Sequence, residues 1–141
     1  MLFAVWTFFT APNLSGKGFN GYMAIQCELT ASNIRYLLVM KGLENNKGGV
    51  RCVDIANALG KSKPSVHNMM NSFIKMGIIS KSSYGACFFT EYGNALAEQY
   101  KKLYGTVKEH LTKAFPGVYD KELAVCSLLA VLPPDYLEAL N

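Results

Sequence analysis

From residue 29 onward the apolar positions of this chain switch between helical and alternating spacing, and each switch marks an element. Ile34, Leu37 and Leu38 share one face behind the capping side chains of Thr30, Ser32 and Asn33, which predicts a first helix over Ser32–Glu44. Asn45, Asn46, Gly48 and Gly49 make a turn, and Val50, Arg51, Cys52 and Val53 read as a short extended piece. Asp54 is placed to cap a brief helix ending at Leu59, with Ile55, Ala56 and Leu59 as its apolar face and Gly60 as its stop.

The next helix is predicted over Lys63–Met76. Ser62 supplies the cap, Pro64 is tolerated in the first turn, and Gly77 ends it. Val66, Met69, Met70 and Phe73 form its apolar face, with Ile74 beside it. Ser65, His67, Asn68, Asn71 and Lys75 form its polar face. Two β-type runs, Ile78–Lys81 and Ala86–Phe89, flank Ser82, Ser83, Tyr84 and Gly85 and predict a hairpin. Thr90 and Glu91 open a long helix in which Leu96, Tyr100, Leu103, Val107, Leu111 and Ala114 recur until Phe115 and Pro116; such a helix can pair with its copy in a second subunit. Leu123–Leu132 is apolar on nearly every side, which predicts a fully buried helix, and a short helical turn over Asp135–Leu140 follows Pro133 and Pro134.

These elements compose a mainly α fold with a small β-hairpin: a winged helix-turn-helix over residues 29–92, followed by a helical dimerisation region over residues 93–141. Residues 1–28 have no such pattern. Met1–Ala11 is apolar and aromatic but lacks a basic leading region and is shorter than the roughly 18 residues a bilayer span needs. Asn13–Gly21 reads as a loop. Residues 1–22 are either an upstream extension or start-site artefact ahead of Met23, or a strand or partner-binding segment.

Half of the 141 residues are hydrophobic and only 17% are charged, an apolar surplus that suits a dimer interface. The net charge of +4 is unevenly spread. Between Leu29 and Thr90 eight Lys or Arg face two acids, whereas from Glu91 onward five bases face seven acids. A basic first half joined to an acidic second half suits a nucleic-acid reader attached to an assembly module. Cys27, Cys52, Cys87 and Cys126 have neither metal-site pairing nor the crowding of a disulfide scaffold, so they read as reduced, mostly buried thiols of a cytoplasmic protein.

A helix about 10 Å across fits a major groove about 12 Å wide when one face packs on its own domain and the other offers short polar groups. The Lys63–Met76 helix meets both conditions. Asn68 and Asn71 suit paired bonds to adenine edges, Ser62 and Ser65 suit phosphates at the helix N-terminus, and His67 suits either. Arg51, Lys61, Lys63 and Lys81 suit phosphate attraction, with Pro64 in the first turn and Tyr84 in the hairpin loop completing the candidate surface. Taken singly, each polar side chain equally fits a solvated helix face; the arrangement is more specific than its members.

The runs Val50-Arg51-Cys52-Val53-Asp54-Ile55-Ala56, Ser62-Lys63-Pro64-Ser65-Val66-His67-Asn68-Met69, Gly77-Ile78-Ile79 and Phe89-Thr90-Glu91-Tyr92-Gly93 resemble the diphtheria-toxin-repressor family of metal-responsive repressors. The resemblance covers about Leu29 to Leu137. It implies double-stranded DNA as a partner, positions 62, 64, 65 and 68 at the DNA, a homodimer formed by the helices after Thr90, and manganese or iron(II) as corepressor. The positions where that family places metal ligands carry Arg35, Leu38, Tyr104, Leu129 and Ala130, leaving only Cys126 as a donor. One thiol does not hold a hard divalent ion, so no metal site is expected by this route. His110 and Cys126 with Glu109 or Glu122 would form a separate, softer site only if their helices cross suitably.

Sequence-specific DNA binding by a homodimer, metal-independent or triggered by another ligand, is therefore the leading expectation. The alternative is a winged-helix interaction module that heterodimerises or binds a partner without reading DNA. The polar face of the Lys63–Met76 helix favours the first, because an interaction surface normally exposes apolar groups. No phosphate loop, nucleophile elbow or paired carboxylates in a cleft suggest an enzyme.

Overall fold

The computed structural model of the chain describes residues 29–44 and 49–132. In chain order these hold α1 (Ala31–Leu43), β1 (Val50–Arg51), α2 (Cys52–Leu59), α3 (Lys63–Lys75), β2 (Ile79–Lys81), β3 (Ala86–Phe89), α4 (Glu91–Ala114) and α5 (Lys121–Val131). The molecule is mainly helical with a small antiparallel sheet. The leader, the Asn45–Gly48 part of the turn and the expected turn over Asp135–Leu140 lie outside the described residues.

Thr30 caps α1 by accepting the Asn33 amide at 3.2 Å, so the helix starts one residue earlier than the pattern predicts. The extended run expected through Val53 stops at Arg51, a correction with a local cause. Only Val50 and Arg51 find partners in β3, opposite Cys87 and Ala86, and the chain then turns into α2. Asp54 consequently lies in the first turn of α2, where its charge complements the helix dipole, rather than at the cap. Gly60 closes α2 in the left-handed conformation, φ 61°, with its amide turned back to the Ala56 and Asn57 carbonyls. A side chain there would be strained, and the tight α2–α3 turn needs that geometry.

The hairpin of β2 and β3 gains β1 as a third strand, giving the order β1-β3-β2. Ile79 opposes Phe89 and Lys81 opposes Cys87. Beneath it, Ile34, Leu37 and Met40 from α1, Ile55 from α2, Met70 and Phe73 from α3, and Ile78 are essentially sealed from water. Each such large side chain contributes about 1.5–3 kcal/mol relative to leaving it exposed. The same buried cluster continues through Leu96, Leu103 and Val107 of α4 to Val125, Cys126 and Leu129 of α5.

Thr90 joins the sheet to α4. Its hydroxyl donates to the Gly77 carbonyl at 2.6 Å and accepts the Gly93 amide at 3.0 Å, while its own amide donates to the Ile78 carbonyl at 3.0 Å. The 24 residues of α4 span about 36 Å. The full burial expected for Leu123–Leu132 is not observed. Val125, Cys126 and Leu129 face α1 and α4, but Leu123, Leu128 and Val131 on the other side are exposed, Val131 by 80%. Among the described residues, packing covers one face of α5 only.

Candidate nucleic-acid interface

Val66, Met70 and Phe73 bury one side of α3. Its outer side carries Lys63, Pro64, Ser65, His67, Asn68 and Asn71, all exposed, and Arg51, Lys61, Ser62, Lys81 and Tyr84 are exposed as well. Tyr84, in the β2–β3 loop, is 97% exposed. At the helix start Ser62 Oγ accepts the Ser65 amide at 3.4 Å, the Val66 amide donates to the Ser62 carbonyl at 3.1 Å, and Pro64 has no amide hydrogen. The N-terminal amides are thus largely occupied, so an anion here meets side chains: the Ser62 and Ser65 hydroxyls and the Lys63 ammonium.

The start of α2, the first turns of α3 and the hairpin converge on an open groove of about 270 Å³. Cys52 and Val53 form one part of its lining, Lys63 and His67 another, and Lys81 and Gly85 the third. Two ammonium groups and an imidazole around an open cleft offer hydrogen-bond donors to an anion such as a phosphate diester. Cys52, Val53 and Gly85 were not anticipated as part of this surface. No pattern in the sequence pairs the entry to α2 with the hairpin; the β1–β3 register does that.

Two of the eight bases counted in the first half of the chain lie elsewhere. Arg35 Nε is 3.3 Å from Glu122 Oε1, joining α1 to α5. Lys41 Nζ lies 2.5 Å from Glu44, 3.2 Å from Glu98 and 2.6 Å from the Asn94 side-chain oxygen, and 5.5 Å from the Phe89 ring centre. The hydrogen bond that Lys41 donates to Glu44, with help from Glu98, raises the Lys41 pKa against the opposing effect of burial. These two cations hold α1 to its neighbours; of the other first-half bases among the described residues, Arg51, Lys61, Lys63, Lys75 and Lys81 lie on or beside α2, α3 and the hairpin.

A family model described as a domain of unknown function, DUF8462, matches residues 22–93. The chain belongs to this family. No curated protein matches it. Among solved structures it is similar to the hypothetical protein SSo2273 from Sulfolobus solfataricus, at 19% identity and a TM-score of 0.56, over 79% of this chain and 86% of that one. That likeness is one of fold. The DUF8462 match contains every exposed side chain of the candidate interface and ends at Gly93, the residue whose amide Thr90 caps.

The residues expected around a metal do not suit manganese or iron(II). Arg35 is a cation engaged by Glu122, and Leu38, Leu129 and Ala130 have no donor atom. Burial, then the Glu122 charge, raises the pKa of both remaining groups: Tyr104 holds its proton more tightly than usual, and the Cys126 thiol is pushed up to about 11. The softer set is not assembled either. Glu109 pairs with Lys113 at 2.7 Å, Glu122 with Arg35, and among the described residues no three His, Cys, Asp or Glu side chains are close enough to hold a metal. No helix among the described residues is long and apolar enough to cross a membrane.

Proposed function

We propose that the chain is a cytoplasmic winged-helix transcriptional regulator that binds specific double-stranded DNA as a homodimer and acts as a repressor. The observation that carries this reading is the groove where Lys63 and His67 of α3 meet Lys81 of the hairpin. It presents cationic groups to a phosphate backbone beside an α3 face of short polar side chains. In this reading α3 enters the major groove, Asn68 and Asn71 read base edges, and Arg51, Lys61, Lys63 and Lys81 fix the register on phosphates. The hairpin is the wing, and Tyr84 at its tip reaches the flanking backbone.

The regulator resembles the diphtheria-toxin repressors in its reading head and departs from them in control. The Arg35–Glu122 pair ties α1 to α5, so the cross-link between the DNA-binding half and the C-terminal helices is made by side chains of the protein itself. The exposed Leu123, Leu128 and Val131 supply the second-subunit contact.

The test is to titrate the purified full chain into a randomised duplex library at near-physiological salt, with and without manganese, and to sequence the retained DNA. An enriched palindrome without metal is expected. Enrichment only with manganese would restore the metal as corepressor. No enrichment in either arm would overturn DNA reading and favour a partner-binding module.

A further inference from the structure

Cys87 is the residue of β3 that sits opposite two others: Val50 of β1 on one side and Lys81 of β2 on the other. Cys52 lies two positions after Val50, where the chain leaves β1 and enters α2, and it shares a side-chain hydrogen bond with Cys87. Cys52 is half-buried and lines the groove, and Cys87 is fully buried beneath it. Both are free thiols. We propose that Cys52 and Cys87 form a reversible disulfide under hydroperoxide oxidation, and that closing it weakens the DNA-binding surface. The second half rests on the DNA-binding reading; the first stands without it.

The two sulfurs have separate roles. Cys52, reachable from the groove, attacks the peroxide: an S–O bond forms, the O–O bond breaks, and water leaves with the thiol proton, giving a sulfenic acid. Cys87 then attacks that sulfur. The S–S bond forms, the S–O bond breaks, and a second water leaves with the Cys87 proton, so two electrons pass from the thiols to the peroxide. Burial, followed by the charge and hydrogen bond of Cys52, pushes the Cys87 thiol up to about 11, which keeps it protonated and unreactive at rest.

Closure changes the groove because both cysteines belong to its frame. A disulfide shortens the approach of the two sulfurs from hydrogen-bonding contact to about 2.05 Å, so the bond draws β3 toward the first turn of α2. Lys81 is paired to Cys87 and moves with it. The spacing between Lys81 and the Lys63–His67 wall then alters, while Cys52 and Val53 are pulled under the hairpin.

The full chain would be treated with hydrogen peroxide, blocked with an alkylating agent and digested with trypsin, which separates the Cys52 peptide (52–61) from the Cys87 peptide (82–101). The expected product is these two peptides joined, released by dithiothreitol and absent from Cys52→Ser. Separate alkylated peptides, or Cys52 oxidised without a partner, would overturn the disulfide. In parallel, reduced and oxidised protein would be titrated with a fluorescent 30-base-pair duplex of mixed sequence at low salt. Binding should fall by about tenfold on oxidation, within the ordinary range of coupling between sites, and return with dithiothreitol. A joined peptide with unchanged DNA affinity would overturn the regulatory half. Absence of DNA binding by the reduced protein would remove both the DNA-binding reading and the regulation built on it, while the peptide result would still judge the disulfide. Because Cys87→Ser places a hydroxyl in the core, Cys87→Ala serves as the second variant for loss of the cross-link.

Discussion

Gly93 lies directly against the Ile78 carbonyl: a Cβ added to it would fall 1.8 Å from the oxygen and 2.7 Å from the carbon. Both atoms are backbone, so neither yields by rotation of a side chain. The contact lets the start of α4 rest on the base of the hairpin, where the Thr90 amide and hydroxyl bond the Ile78 and Gly77 carbonyls. Gly93→Ala should therefore cost about 2–3 kcal/mol by forcing these segments apart. Gly105, in the same helix with nothing near it, should behave oppositely, with Gly105→Ala gaining about 0.5–1 kcal/mol from helix propensity. Urea unfolding of both variants checks the pair; equal effects would mean that the close approach is not what sets the cost at Gly93.

On α3 the readings of base and backbone separate by position. Asn68 is exposed on the outer face, one turn beyond Pro64. Asn68→Ala should remove about 1–3 kcal/mol of discrimination at one base position and leave affinity for random DNA nearly unchanged. Lys63→Gln should weaken all duplexes alike and reduce the slope of log affinity against log salt by about 1. Competition titrations at several salt concentrations distinguish the two. Unchanged behaviour of both variants would exclude α3 as the reading helix.

Much of this architecture was legible because local signals agreed with one another. Ser62, Pro64, the 66–70–73 apolar spacing and Gly77 all point to the same helix, and α3 runs from Lys63 as they predict, ending one residue early at Lys75. Where a signal had only one level of support it failed. Val50-Arg51-Cys52-Val53 has strand composition, but the ladder to β3 extends for two residues and the remainder becomes helix. The apolar α5 sequence reports that its faces are greasy without reporting whether the same chain covers them. The charges of Arg35 and Lys41 were counted toward DNA because their partners, Glu122 and Glu98, lie 87 and 57 residues away, and only the fold brings them together.

The buried thiols make stability depend on alkaline pH. Burial raises Cys87 and Cys126 from an ordinary value of 9.0 to about 11. As pH rises above about 9 the unfolded chain releases these protons while the folded chain keeps them, so the unfolded state binds fewer protons and stability falls. The contribution is complete below pH 9 and is lost as pH rises toward 11. Urea unfolding at about pH 8 and about pH 10.5 should show the decline, and Cys126→Ala should lessen its slope whatever its effect at neutral pH. A slope identical to that of the unaltered chain would mean that Cys126 ionises as readily when folded as when unfolded.

The exposed face of α5 tests the proposed dimer without disturbing the monomer's core. Leu123, Leu128 and Val131 lie opposite the buried Val125, Cys126 and Leu129, so a polar substitution there leaves the buried face of α5 in place. If a second copy covers this face, Leu128→Glu with Val131→Glu places like charges on both sides of a two-fold contact and should convert a dimer to a monomer with unaltered helix content. DNA affinity for a palindrome should then fall steeply, because each half-site is held alone, whereas affinity for a single half-site should hardly change. Light scattering and circular dichroism on the same samples separate the two effects. A variant that stays dimeric would move the interface away from α5, and the surplus of apolar surface on that helix would then need a different partner.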